Sequence, residues 1–157
     1  MTAVLGSVAL LLAAGLTACS SADEGAGLAV TDAWVKASDE AMTGVFGTLV
    51  NDGPKDAVVV AASSPAAARV ELHTTATGGD GSMVMTPVDG GFVVPAGGTH
   101  VLEPGADHIM LMELVGPLEP GDEVELSLKT ADGQVLDVVA VVRTFAGGQE
   151  EYEPADG

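Results

Sequence analysis

The chain has 157 residues, of which 23 are acidic and five are basic, so its formal net charge is −18 at pH 7. That length suits one domain with its own core, and the charge argues against binding to nucleic acid or to anionic lipid head groups. The hydrophobic fraction is 47%, and 21 Gly and 8 Pro add many turn signals, a composition typical of short strands.

The amino-terminal segment, TAVLGSVALLLAAGLTA at residues 2–18, contains no charged side chain. Its apolar run has the length of a signal peptide and is short for a membrane span of about 20 residues. The run ends in LTAC, which resembles the bacterial lipobox, so we expect residues 1–18 to be a cleaved signal peptide and Cys19 to be lipidated. The protein would then be exported and held at the outer face of the cell membrane through its lipid anchor only. The alternative is that Cys19 is a small apolar residue of an ordinary signal peptide.

Cys19 is also the only cysteine of the chain. If it carries the lipid, the folded domain has no thiol, which excludes disulfides, zinc–thiolate sites and cysteine nucleophiles. Any site for a soft metal must therefore use other ligands.

The rest of the chain divides into a tether, one domain and a tail. Residues 19–27 are small, polar and acidic, as in a flexible tether. From residue 28 to 146, apolar or alternating runs separated by Gly, Pro, Asn and Asp predict an all-β fold, and their regular spacing favours an antiparallel β-sandwich. The runs are VTDAWVKA, GVFGTLVND, AVVVAAS, RVELHTT, SMVMTPV, GFVVPA, THVLEP, DHIMLMEL, DEVELSLKT and QVLDVVAVVRTF. Residues 147–157 are acidic and have little to bury, so we expect a disordered tail.

Candidate metal ligands lie on two of these predicted strands. Side chains alternate between the two faces of a strand, so His108, Met110 and Met112 share one face of DHIMLMEL. The same alternation puts Met83 and Met85 on one face of SMVMTP. Each of these faces therefore offers soft or borderline donors.

A third strand, RVELH, ends at His73, just before the Gly-rich turn that leads to Met83. Taken singly, a methionine on a strand is more often core filler, and a lone histidine is more often a hydrogen-bonded structural residue. The clustering favours a site instead, because four of the five methionines beyond the initiator lie between His73 and Met112. We interpret His100 as an ordinary strand residue.

In these segments the chain resembles the PCu(A)C family of periplasmic copper chaperones. The resemblance covers residues 32–142 and rests on DAWVKAS, ARVELH, MVMTPVDGGFVVPAGGT, LEPGADHIMLMEL and GPLEPGDEVELSL, which follow the family's order and spacing. It implies a Greek-key, cupredoxin-like antiparallel β-sandwich. It also implies a Cu(I) site of the pattern His-x11-Met-x22-His-x-Met, which falls on His73, Met85, His108 and Met110.

The chain departs from the family pattern at two places. Many members have a further methionine soon after the first histidine, where this chain has Thr74 and Thr75, and an aromatic residue before the second histidine, where it has Asp107. Met83 and Met112 share faces with the two methionines of the pattern, so we regard them as candidate auxiliary ligands.

The implied ligand set suits cuprous copper. Thioether sulfur is a soft, uncharged donor that prefers Cu(I), and imidazole adds affinity without adding charge. Outside the cytoplasm, a paired-thiol site would risk oxidation to a disulfide, whereas methionine and histidine remain competent ligands. A blue-copper electron carrier would need a cysteine beside two histidines, which this domain lacks.

The resemblance implies a metallochaperone that delivers Cu(I) toward the dinuclear copper centre of cytochrome c oxidase. The recipient would be the oxidase subunit itself or a thiol-bearing Sco-type assembly protein. Two alternatives remain open: an extracellular lipoprotein that scavenges or stores copper, and a structural β-sandwich lipoprotein whose methionines only fill a core. We do not expect an enzyme, because the three histidines form no His-x-His or HExxH pair and the chain has no GxSxG elbow.

Overall fold

The computed structural model of the chain describes residues 27–79 and 81–147, together with the backbone of residues 151–152. The predicted signal peptide, the predicted lipidation site Cys19, nearly all of the tether and most of the acidic tail lie outside the described residues. Within the described part, the regular secondary structure consists of β-strands. No helix among these residues is long and apolar enough to cross a membrane. The all-β prediction is confirmed.

Ten of the strands correspond to the ten predicted runs, and a short one is added near the carboxyl end. The strands are β1 (Leu28–Lys36), β2 (Met42–Asn51), β3 (Ala57–Ser63), β4 (Ala67–Thr77), β5 (Met83–Pro87), β6 (Phe92–Val94), β7 (Gly98–Leu102), β8 (His108–Leu114), β9 (Glu123–Thr130), β10 (Val135–Arg143) and β11 (Glu151–Tyr152). β11 falls in the segment predicted to be a disordered tail, and its backbone pairs with β5.

The strands form one continuous sheet in the order β11-β5-β4-β8-β2-β1-β10-β9-β3-β6, with β7 paired to the second half of β2. Neighbouring strands are antiparallel, except that β1 and β10 are parallel, as are β11 and β5. A single apolar cluster contains buried side chains from nine strands, β1 to β4 and β6 to β10, so the sheet must fold over on itself to enclose them. The predicted sandwich is therefore present, built from one curved sheet.

A β-bulge in β1 changes which side chains face this core. The register between β1 and β2 shifts just before Trp34, and Asp32 in the bulge has a left-handed backbone with φ of 53°. The extra residue reverses the alternation, so Val30 before the bulge and Val35 after it both pack against the core. Trp34 consequently points to the opposite face, where its ring centroid lies 4.6 Å from that of Phe46.

Strand β8 lies between β4 and β2 and is buried on both faces. Ile109 and Leu111 belong to the main core. His108, Met110 and Met112 alternate with them and are also buried, with at most 4% of each residue exposed. The second face of β8 therefore supports a separate layer of side chains.

Replacing Leu111 by alanine tests the assignment of the main core. Leu111 is fully buried, with 0% exposed, so Leu111→Ala should lower the free energy of unfolding by about 2–5 kcal/mol in urea denaturation. Val115→Ala is the control, because Val115 follows the same strand and is 77% exposed. It should change the free energy of unfolding by less than about 0.5 kcal/mol, and equal effects of the two changes would contradict the assignment.

Candidate metal centre

The two histidines predicted as ligands lie directly opposite each other on neighbouring strands. His73 of β4 pairs with His108 of β8. Both are buried, with 0% and 3% exposed, and their ring centroids are 5.8 Å apart in an edge-to-face arrangement. The fold thus brings together two imidazoles that are far apart in the sequence.

Three methionines form a buried cluster that is distinct from the main core. Met85, Met110 and Met112 make up this cluster, and the partly buried Met42 packs against it. Met42 is the first residue of β2 and stands opposite Met112 in the pairing of β2 with β8. Met42 is not among the ligands predicted from the sequence, because no local pattern reveals that β2 pairs with β8.

Met83, a predicted auxiliary ligand, lies elsewhere on the same face. It is 41% exposed and is paired with Thr77 at the far end of β4, where the threonine hydroxyl is 3.6 Å from its sulfur. Met112, the other predicted auxiliary ligand, is only 3% exposed and belongs to the buried cluster. The two candidates therefore differ in burial and in neighbours.

Gly44 leaves space for the aromatic ring of Phe46 beside His108. It stands opposite Met110, and a Cβ at Gly44 would lie 2.6 Å from the tip of the Phe46 ring. The Phe46 ring centroid is 6.0 Å from that of His108, and the Trp34 ring packs on its other side. A side chain at Gly44 would displace this ring from its place beside His108.

A cavity of ≈ 390 Å³ opens onto this face of the sheet. Its lining includes Met42, Met85, His108 and Met110. Its lining also includes residues 36–40, at the end of β1 and in the connection to β2, and the turn at residues 104–105. Three thioethers and one imidazole can thus be reached from solvent, while His73 is fully buried.

The turn before β8 orients the ring of His108. Its Nδ1 lies 2.9 Å from the carbonyl oxygen of Ala106, and because a carbonyl only accepts, Nδ1 donates and carries the proton. The lone pair for a metal is then on Nε2. The same carbonyl accepts the backbone N–H of Thr75 at 3.2 Å, which ties the turn to β4.

A carboxylate orients the ring of His73. Nε2 of His73 lies 2.8 Å from Oε2 of Glu71, whose other oxygen accepts a bond from Nη1 of Arg69 at 2.8 Å. An ionised carboxylate accepts, so Nε2 carries the proton and the lone pair of His73 is on Nδ1. Such carboxylate–histidine pairs are common behind metal-binding histidines, where they fix the orientation of the ring.

His100 lies outside the cluster and supports the turn that precedes β8. Its Nε2 is 2.9 Å from a carboxylate oxygen of Asp107, and its Nδ1 is 3.1 Å from the carbonyl oxygen of Val93. Its ring also stacks on Phe92, with centroids 5.1 Å apart. Both of its ring nitrogens are thus engaged by protein oxygens.

The donors gathered on this face are imidazole nitrogen and thioether sulfur, which together suit soft or borderline ions such as Cu(I). Within residues 27–79 and 81–147, no group of three or more His, Cys, Asp or Glu side chains is placed to hold a metal ion. The candidate centre therefore depends on its methionines.

Comparison with other sequences finds a family and a relative that carry lipoprotein names. The family model described as "Putative lipoprotein LpqE-like" matches residues 28–142. The "Putative lipoprotein Lxx21020" of Leifsonia xyli subsp. xyli is 42% identical over 127 residues, which cover 81% of this chain and 76% of that protein.

Comparison with solved structures identifies similar domains. The solution structure of CuI-DR1885 from Deinococcus radiodurans is 33% identical with a TM-score of 0.58, covering 84% of this chain and 89% of that one. The copper-bound PCuAC domain from PmoF2 is 15% identical with a TM-score of 0.62, covering 76% and 94%, and so shows a shared fold. The predicted resemblance to the PCu(A)C family is confirmed.

Removing the carboxylate behind His73 should destabilise the metal-free protein. Glu71→Ala takes away the acceptor of a fully buried imidazole, so we expect a loss of about 1–3 kcal/mol in the free energy of unfolding. Glu113→Ala is the matched control, since it removes the same charge from an exposed side chain on the adjacent strand. Urea denaturation of both variants measures the difference, and equal stabilities would contradict an orienting role for Glu71.

Proposed function

Because the chain belongs to the LpqE-like lipoprotein family and has the fold of PCuAC domains, we propose that it is an exported lipoprotein that binds one Cu(I) and passes it to an acceptor. The observation that carries this proposal is the meeting of two buried histidines and three buried methionines on one face of the sheet, apart from the main core. Methionines that only fill the core would be expected to belong to the main apolar core instead of forming a separate cluster.

We assign the ligands to His73, Met85, His108 and Met110. The hydrogen bonds to Glu71 and to the turn before β8 leave Nδ1 of His73 and Nε2 of His108 as the nitrogen donors. Met112 is buried beside these residues and remains an auxiliary candidate, whereas the exposed Met83 is the weaker of the two.

The relatives support both parts of the proposal. The structure of DR1885, which is 33% identical, is described as its CuI form, and the PCuAC domain from PmoF2 is described as copper-bound. The Leifsonia relative and the matching family carry lipoprotein names, which supports lipidation of Cys19 and a membrane anchor for this chain.

We further propose delivery toward the dinuclear copper centre of cytochrome c oxidase, directly or through a thiol-bearing Sco-type assembly protein. Uncharged thioether and imidazole ligands can be exchanged one at a time, and the open cavity gives an acceptor access to three of the four proposed ligands. A thiolate acceptor binds Cu(I) through a stronger soft donor than a thioether, so transfer in that direction is favourable.

Titration with Cu(I) under reducing conditions tests binding. The wild-type protein should take up one Cu(I), and the double variant His108→Ala, Met110→Ala should take up none because it lacks two of the four proposed ligands. Met83→Leu serves as the control, since it removes a thioether from the same face outside the buried cluster. Full uptake by the double variant would refute the assigned site.

Deletion of the gene tests delivery. At limiting copper, cells without the protein should contain less cytochrome c oxidase with a filled dinuclear centre, because Cu(I) no longer reaches it. Wild-type protein should restore the oxidase, and the His108→Ala, Met110→Ala variant should not. Normal oxidase in the deletion strain would instead favour copper scavenging or storage.

A further inference from the structure

Among the residues that the structure describes, Met42 is the one methionine that packs beside the buried cluster without belonging to it. It packs against Met85, Met110 and Met112, yet it is only partly buried. It also lines the cavity through which the proposed site opens to solvent. Its thioether is therefore placed both at the surface and against the buried sulfurs.

The backbone at Met42 is held by hydrogen bonds and by pairing with β8. The residue begins β2 and pairs with Met112 of β8. Its carbonyl oxygen accepts a bond from the hydroxyl of Ser38 at 3.3 Å, and the preceding carbonyl, of Ala41, accepts the N–H of Leu114 at 3.0 Å. The methionine side chain has three rotatable bonds, so a fixed backbone still lets its sulfur reach in more than one direction.

We propose that Met42 is a transient ligand that binds Cu(I) in the cavity during loading and release. The inference rests on the proposed copper site. The cavity is lined by Met42, Met85, His108 and Met110, whereas His73 is fully buried, so we place the path of the ion through this cavity. Met42 would hold the ion by its sulfur while the ligands behind it bind or dissociate, so that Cu(I) is never left without a soft donor.

This role predicts a kinetic effect without a change in equilibrium affinity. A ligand used only along the path lowers the barrier equally in both directions. For Met42→Leu, the rates of Cu(I) uptake from a bicinchoninate complex and of its release to bathocuproine disulfonate should fall together by about tenfold, equivalent to about 1.4 kcal/mol of barrier. The dissociation constant should stay at the wild-type value.

Two further variants of the purified full chain complete the experiment. Val115→Ala shortens an exposed side chain that lies outside the cavity lining and should leave both rates unchanged, while Met110→Leu removes a proposed resident ligand and should weaken equilibrium binding. Unfolding of the metal-free variants checks that leucine, which has a similar volume, leaves the fold intact.

The outcomes separate this inference from the proposal on which it rests. Rates for Met42→Leu equal to those for Val115→Ala would overturn the role of Met42 while leaving the copper site standing. Weakened equilibrium binding like that of Met110→Leu would also overturn it, because Met42 would then be a resident ligand. Absence of Cu(I) uptake by the wild-type protein would overturn the proposed function itself.

Discussion

Burial of β8 on both faces is the constraint on which the rest of the structure depends. The strand has hydrogen-bonded neighbours on each side, β4 and β2, so its side chains cannot change faces without breaking two ladders. On one face, Ile109 and Leu111 lie in the main core, and on the other, His108 and Met110 lie in a second layer of side chains. The stability of the domain and the geometry of the candidate metal centre thus share one strand but use different side chains.

The second layer differs from the main core in chemistry as well as position. The main core consists of aliphatic side chains with one large ring, Phe92, whereas the second layer combines flexible thioethers with two imidazoles. The imidazoles are oriented from behind, His73 by Glu71 and His108 by the carbonyl of Ala106. Adjustable sulfur beside fixed nitrogen is a suitable arrangement for a site that must both hold an ion and give it up.

Much of this arrangement follows from the sequence, because the period of a strand is fixed by backbone geometry. Alternation along SMVMTP places Met85 and Met83 on one face, but it cannot reveal that only Met85 is buried, which depends on the neighbouring strands. The bulge at Asp32 reverses the alternation of β1 without any glycine to mark it. The contribution of Met42 requires the pairing of β2 with β8, and the orientation of His108 requires the conformation of a turn. Both depend on contacts between segments that no local pattern specifies.

The proposed ligands lie on three adjacent strands, β4, β5 and β8. With Cu(I) bound, this distribution would affect the resistance of the protein to proteolysis. With Cu(I) bound as proposed, the ion ties together segments that the unfolded chain holds far apart, so binding and folding are thermodynamically linked. At a free ion concentration 100 times the dissociation constant, the linkage adds about 2.7 kcal/mol to the stability of the folded state. Loaded copies would open less often than empty ones, and proteases that cleave transiently opened chains would remove the empty copies first. The supply of copper would in this way determine the number of copies that persist.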